Sequence, residues 1–173
     1  MIQLTYQPAF DPFHTVFRFL RLRQVVLAEV ALPRDHLRVL DFYLMFPFRS
    51  DEIRVFPRHR KFKKLAQQYA GVRPYGDLPD DRVLFHRMSP IQGAALDTLA
   101  QKGLLDAQEY KRGIIAPTAT TLPAPLQAKL EEANVQQKDL LDFLTALATD
   151  YDLLGSNGLK DRSGLMDFAY DAA

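Results

Sequence analysis

The sequence has no cysteine and no tryptophan. Without cysteine there can be no disulfide framework and no thiolate metal site, which fits a reducing compartment. Strong charge of either sign is also missing: 22 Lys and Arg face 21 Asp and Glu, a net charge of +1. The chain as a whole is therefore no electrostatic magnet for nucleic acid, and any such attraction must be local. A long uncharged apolar run is absent too. The most apolar stretch, Phe13 to Leu32, is broken by Arg18, Arg21, Arg23 and Glu29. A membrane span needs roughly 18 or more apolar residues with few charges, so no membrane is expected. The opening MIQLTYQPAF lacks the basic start and apolar core of a signal peptide. A cytoplasmic protein is the expectation.

Apolar residues make up 47% of the 173 residues, including 12 Phe and 7 Tyr. That suits one domain with a helical appendage and is long enough to bury a real core. Ile2, Leu4 and Tyr6 alternate with polar residues, as in a short half-buried strand. Asp11 and Pro12 form a helix start. The helix that follows is apolar around much of its circumference, with Phe13, Phe17 and Leu20 on one side and Phe19, Leu22 and Val26 on another. Such a helix is buried on two sides or lies in an interface. A second helix, capped by Asp35, ends before Pro47. A third is expected over Lys61 to Ala70, stopped by Gly71, and a loop over Val72 to Asp81.

Arg82 to Met88 reads as a short strand. Ser89 and Pro90 then read as cap and first residue of a helix, with Gln92 completing a capping box. Gly103 reads as its left-handed stop, and Leu104 and Leu105 return to the core. Ala107 to Tyr110 and Ile114 to Ala116 can pair as a hairpin across Lys111, Arg112 and Gly113. The outline is mainly α with a small β-hairpin: a winged helix-turn-helix-like core with additional N- and C-terminal helices. The expected divisions are 1–123 for that core with its N-terminal strand and helix, 124–155 for a helical extension and 156–173 for a tail. The extension carries Leu140, Leu141, Leu144 and Leu147 at helical spacing, broken by Gly155 to Gly158. The tail carries Leu165, Met166, Phe168 and Tyr170.

The densest charge cluster is RVFPRHRKFKK. Arg54, Arg58, Arg60, Lys61, Lys63 and Lys64 are interleaved with Phe56 and Phe62. Cations meet phosphates and aromatics stack on bases, so this is the nucleic-acid candidate. Lys111 and Arg112, at the expected wing tip, can add a phosphate contact. The helix Ser89 to Gly103 offers only Gln92, Asp97, Thr98, Gln101 and Lys102, which makes a poor major-groove reader. Partner surfaces are expected on Phe13, Phe17 and Leu20, and on Leu165, Met166, Phe168 and Tyr170.

Catalysis has little support. His14, His36, His59 and His86 are scattered, without metal-ligand spacing, and no Gly-rich phosphate loop is present. Asp80, Glu109 and Lys111 match the permissive PD…ExK pattern of metal-dependent nucleases, in which two carboxylates hold the ion. No cofactor and no metal are expected. Asp41, between Leu40 and Phe42, reads as a solvent-side carboxylate or a partner for a nearby Arg.

LRVLDFYLMFPF (Leu37 to Phe48), RVLFHRMSPIQGAALDTLAQKGLLD (Arg82 to Asp106) and GIIAPT resemble the small middle components of bacterial ABC three-component systems. The resemblance covers about Asp35 to Thr118 and leaves the first helix and the tail outside it. It implies a non-enzymatic adaptor beside an SMC-like or Rad50-like ATPase and an effector, acting in defence against phage and plasmids. It supplies no catalytic residues. The alternative is a winged-helix transcription regulator, which requires a homodimer and a specific operator.

Overall fold

The computed structural model describes residues 7–74 and 76–166. The expected strand over Ile2 to Tyr6 lies outside them, as do Phe168 and Tyr170. The described chain is mainly helical, with one two-stranded antiparallel sheet.

Helix α1 (Pro12–Val25) begins as the sequence predicts: Asp11 accepts the His14 N–H at 2.9 Å, and Pro12 takes the first position. It is surrounded. Phe19, Leu20 and Leu22 are buried, and α1 packs against α2, α4, α6 and α7. That explains apolar residues on so much of its surface. A strand β1 (Leu32–Pro33) leads into α2 (Arg34–Met45). Asp35 lies in the first turn of α2, paired with Arg38 at 2.8 Å, and is not its cap. Pro47 ends the helix by forcing Phe46 out of helical geometry.

The single helix expected over Lys61 to Ala70 is a composite: a 3-10 segment Pro57–Lys63, a short α3 (Lys64–Gln68) and a 3-10 turn Ala70–Val72 that contains Gly71.

The largest departure is α4 (Asp81–Gln101), 21 residues long. Arg82 to Met88 is helix, not strand, and Ser89 and Pro90 lie inside α4 rather than opening it. The true cap is Asp80, which accepts the Arg82 N–H at 2.9 Å. Leu84, Phe85, Met88, Gln92, Ala95, Leu96 and Leu99 form one buried stripe that continues across Pro90. An interior proline costs about 3 kcal/mol. Burying each large apolar side chain returns about 1.5–3 kcal/mol, so the stripe outweighs the proline. Gly103 does close the helix, with φ +72°, and the Leu104 N–H reaches the Leu99 carbonyl at 3.0 Å.

Residues 107–111 are helix α5 (Ala107–Lys111), so the hairpin expected there does not form. Asp106 caps α5 by accepting the N–H groups of Gln108 and Glu109, both at 2.9 Å. Strand β2 (Ile114–Ile115) pairs with β1 instead, Leu32 opposite Ile115 and Pro33 opposite Ile114. The sheet thus joins the entry of α2 to the exit of α5.

The chain then runs through α6 (Ala124–Gln136) and α7 (Lys138–Asp150), which follow the expected leucine spacing, and ends its described part in α8 (Leu159–Ser163). Helices α2 and α4 are antiparallel. Arg49, just past the end of α2, meets Asp81 at the start of α4. At the other end, Arg34 stacks over Tyr110, whose hydroxyl donates to Asp97. The apolar cluster holds Leu22, Leu37 and Leu96 together with Leu140, Leu144 and Leu147.

Candidate contact surfaces

The basic stretch is built on an aromatic shelf. Phe56 stacks on Tyr151, ring centroids 4.3 Å apart, and the Tyr151 oxygen accepts the Phe56 N–H at 2.7 Å. Arg162 lies over Phe56 at 4.2 Å and donates to the Arg54 carbonyl. His59 is buried between Tyr151 and Asp150, with its two nitrogens 2.8 and 3.0 Å from them. Phe62 packs on Phe143. These contacts seat the stretch on α7 and α8.

Its six cations divide by what they touch. Arg54 pairs with Asp161 at 2.9 Å, and Arg58 lies 3.6 Å from Asp150 and over Phe56. Lys63 donates to the carbonyls of Asp51 and Ile53, and desolvation pushes its ammonium below the usual lysine range. Arg60, Lys61 and Lys64 are exposed, with Lys61 over the Phe62 ring and the other two unpaired among the described residues. Lys111 and Arg112 are exposed at the end of α5, beside the C-terminal part of α4, and Arg112 pairs with Glu109 at 3.2 Å.

On α1, Phe13 is 85% exposed, Phe17 half-buried and Leu20 buried in the core. Leu165 is buried and Met166 half-buried, so the start of the tail docks on its own chain.

The nuclease-like triplet does not assemble. Asp80 caps one end of α4, while α5, with Glu109 and Lys111, sits against Asp97 near the other end. Seventeen helical residues separate Asp80 from Asp97, about 25 Å, far beyond the reach of one ion. The described residues hold no group of three His, Asp or Glu able to bind a metal. The remaining histidines sort simply. His36 Nε2 lies 3.0 Å from the Leu147 carbonyl, and burial pushes its imidazole down toward the neutral form. His14 stands in the first turn of α1 and His86 is exposed on α4.

Asp41 is not the solvent-side carboxylate of one sequence reading but the partner of an Arg, as in the other, and the buried polar chain built around it was not legible beforehand. Asp41 is fully buried. It accepts from Arg18 at 2.6 and 3.2 Å and from the Gln92 amide at 2.8 Å. Gln92 in turn accepts from Arg38 Nε at 2.9 Å. Arg18 also donates to the Pro8 carbonyl and to Thr15. The chain thus locks α1, α2 and α4 together. Removing one member would strand a buried charge, at about 3–5 kcal/mol. The signal available beforehand was a carboxylate on the apolar face of a strongly amphipathic helix. Of the other two arginines of α1, Arg21 is buried and Arg23 half-buried. Arg21 donates to Asn134 of α6, and Arg23 donates to the carbonyls of Leu104, Thr118 and Thr120.

The chain is a helical body whose buried polar groups hold helices together, with exposed cations and an exposed aromatic outside. The chain belongs to the ABC-three component (ABC-3C) system Middle Component 5 family, whose sequence description matches residues 4–171. The match extends well beyond Asp35 to Thr118 and takes in α1 and the tail. No curated protein and no solved structure matches the chain. Membership makes the protein a component of a multi-component system, with protein partners. No helix among the described residues is long and apolar enough to cross a membrane.

Proposed function

We propose that the chain is the non-enzymatic adaptor of an SMC-like or Rad50-like ATPase complex in a cytoplasmic defence system, bridging the ATPase and an effector. Membership in a middle-component family carries this reading. The exposure of Phe13 supports it. This is the most exposed large apolar side chain of the described residues, in the exposed first turn of a helix whose middle is buried in its own chain. A lone rigid aromatic at the end of a fixed helix suits a partner pocket. Phe168 and Tyr170 are a second docking element in this reading, since Leu165 and Met166 are taken up by their own chain. Arg60, Lys61 and Lys64, flanked by Arg54, Arg58 and Lys63, supply weak, salt-sensitive DNA contact, with Lys111 and Arg112 as a separate contribution. The regulator alternative loses support from Gln92, which is buried in the Asp41 network and unavailable to a base.

The test is co-purification with the products of adjacent genes, with mass determined by light scattering. A stable complex with a coiled-coil ATPase, weakened by Phe13→Asp while the fold is unchanged, is expected. A monomer that ignores the ATPase overturns the adaptor reading. A homodimer that shifts one specific DNA fragment replaces it with the regulator.

A further inference from the structure

An open cleft of about 270 Å³ lies between α2, α4 and the segment after α8, lined by Arg38, Arg82, Phe85, His86, Ser89, Leu165 and Met166. None of these lining residues is acidic. Arg82, His86 and Ser89 stand at i, i+4 and i+7, one face of α4. The side chains of Arg82 and His86 are exposed and make no hydrogen bond or ion pair with the described residues. Neither belongs to the basic stretch at 54–64.

Arg38 makes this a built site rather than a patch of surface cations. Its side chain is only 12% exposed. Nε is held by the Gln92 oxygen at 2.9 Å, Nη1 by Asp35 at 2.8 Å, and the guanidinium lies over the Phe85 ring at 4.6 Å. Gln92 is itself fixed by Asp41, and Asp41 by Arg18. Nη2 is left without a described hydrogen-bond partner. A guanidinium fixed on three sides loses little freedom when its last edge binds a ligand. The two acids of the network are already engaged, Asp35 with Arg38 and Asp41 with Arg18 and Gln92. The charge left over at the cleft is positive.

We infer that this cleft binds a phosphate group, with Arg38 and Arg82 as charged donors and His86 and Ser89 completing the ring of donors. Guanidinium pairs match the geometry of phosphate oxygens. The volume suits one phosphate with its sugar and is small for a drug-sized ligand, for which about 300–1,000 Å³ is usual. The inference stands apart from the adaptor reading, since it concerns the isolated chain and different residues. The phosphate can belong to a free nucleotide or to a nucleic-acid backbone.

The experiment follows the backbone amides of residues 82–89 by NMR in the full chain, titrated separately with inorganic phosphate, adenosine monophosphate and a short single-stranded oligonucleotide. Shifts confined to this face are expected. Arg82→Ala and His86→Ala, both surface changes that leave the fold intact, should each weaken the response, Arg82→Ala by about tenfold or more, as for loss of one charge-assisted contact. Tighter binding of the mononucleotide than of inorganic phosphate assigns a free nucleotide. Oligonucleotide binding that inorganic phosphate displaces assigns a backbone phosphate. No shift with any of the three probes overturns the inference. So does binding abolished by Arg60→Ala with Lys64→Ala but untouched by Arg82→Ala.

Discussion

Arg49 sits between two carboxylates. Its Nη1 is 2.8 Å from Glu52, and its Nε is 3.3 Å from Asp81, an ion contact without hydrogen-bond alignment. Asp81 is pushed up to about 7 by burial first and then by sharing a proton with Glu52. Burial acts to raise Glu52 as well, but its bonds from Asp81 and Arg49 outweigh that and lower it. Asp81 therefore tends to keep its proton while Glu52 carries the negative charge beside Arg49. The linkage has a definite sign. A carboxyl with a raised native pKa binds more protons folded than unfolded. Its contribution to stability is full below its ordinary value of 3.8 and is lost as pH rises through about 7. The lowered Glu52 works in the opposite direction and at lower pH. Asp81→Asn should therefore flatten the fall in melting temperature between about pH 4 and about pH 7 and leave the chain more stable than wild type above that range. A set of thermal melts across pH checks it. An unchanged slope would place the titrating group elsewhere.

Elements were legible in the sequence where one local signal stood unopposed. The Asp11–Pro12 start of α1, the Gly103 stop of α4 and the leucine spacing of α7 all appear as read. The misreadings come from places where two signals compete. Ser89-Pro90 is a good helix start in isolation, but the buried stripe on both sides carries the helix through it. Asp106, with Glu109 three residues on, is a capping pattern that outcompetes a hairpin in a stretch of good helix formers. The partner of β2 then lies far back in the chain, where no local pattern can point. Helix α4 also carries a removable weakness. Gly93 has helical geometry, and a Cβ there meets nothing within 4 Å. Gly93→Ala should add about 1 kcal/mol, which urea unfolding would show as a higher midpoint at unchanged slope. A loss of stability would mean that the neighbouring turn around Pro90 cannot accept the change.

At the scale of the molecule, chain order and core do not divide in the same place. Pro123 marks the entry to α6, yet the buried cluster takes residues from both sides of it. One cooperative unfolding transition is expected, with far-ultraviolet dichroism and tyrosine fluorescence coinciding. The chain lacks tryptophan, and Tyr43 and Tyr151 are both buried, so the tyrosine signal reports on the body and on the C-terminal part together. Two separate transitions would instead favour an independent unit beginning near residue 124. The contact surfaces were only half legible at this scale. The sequence shows that residues 54–64 are basic. It cannot show that Arg54 is tied to Asp161, or that Arg38 and Arg82 share a cleft, because both depend on how distant segments meet.

The pairing of Leu32 with Ile115 bears on the order in which the chain assembles. Each strand is two residues long, so the ladder is too small to form before its ends are brought together. Closing so long a loop costs entropy that only prior helix packing can offset. The helices α1, α2 and α4 must therefore find one another first, and the sheet clasps them last. Arg23 holds the carbonyls of Leu104, Thr118 and Thr120 beside that clasp, so the last piece to close is fastened back onto the first helix.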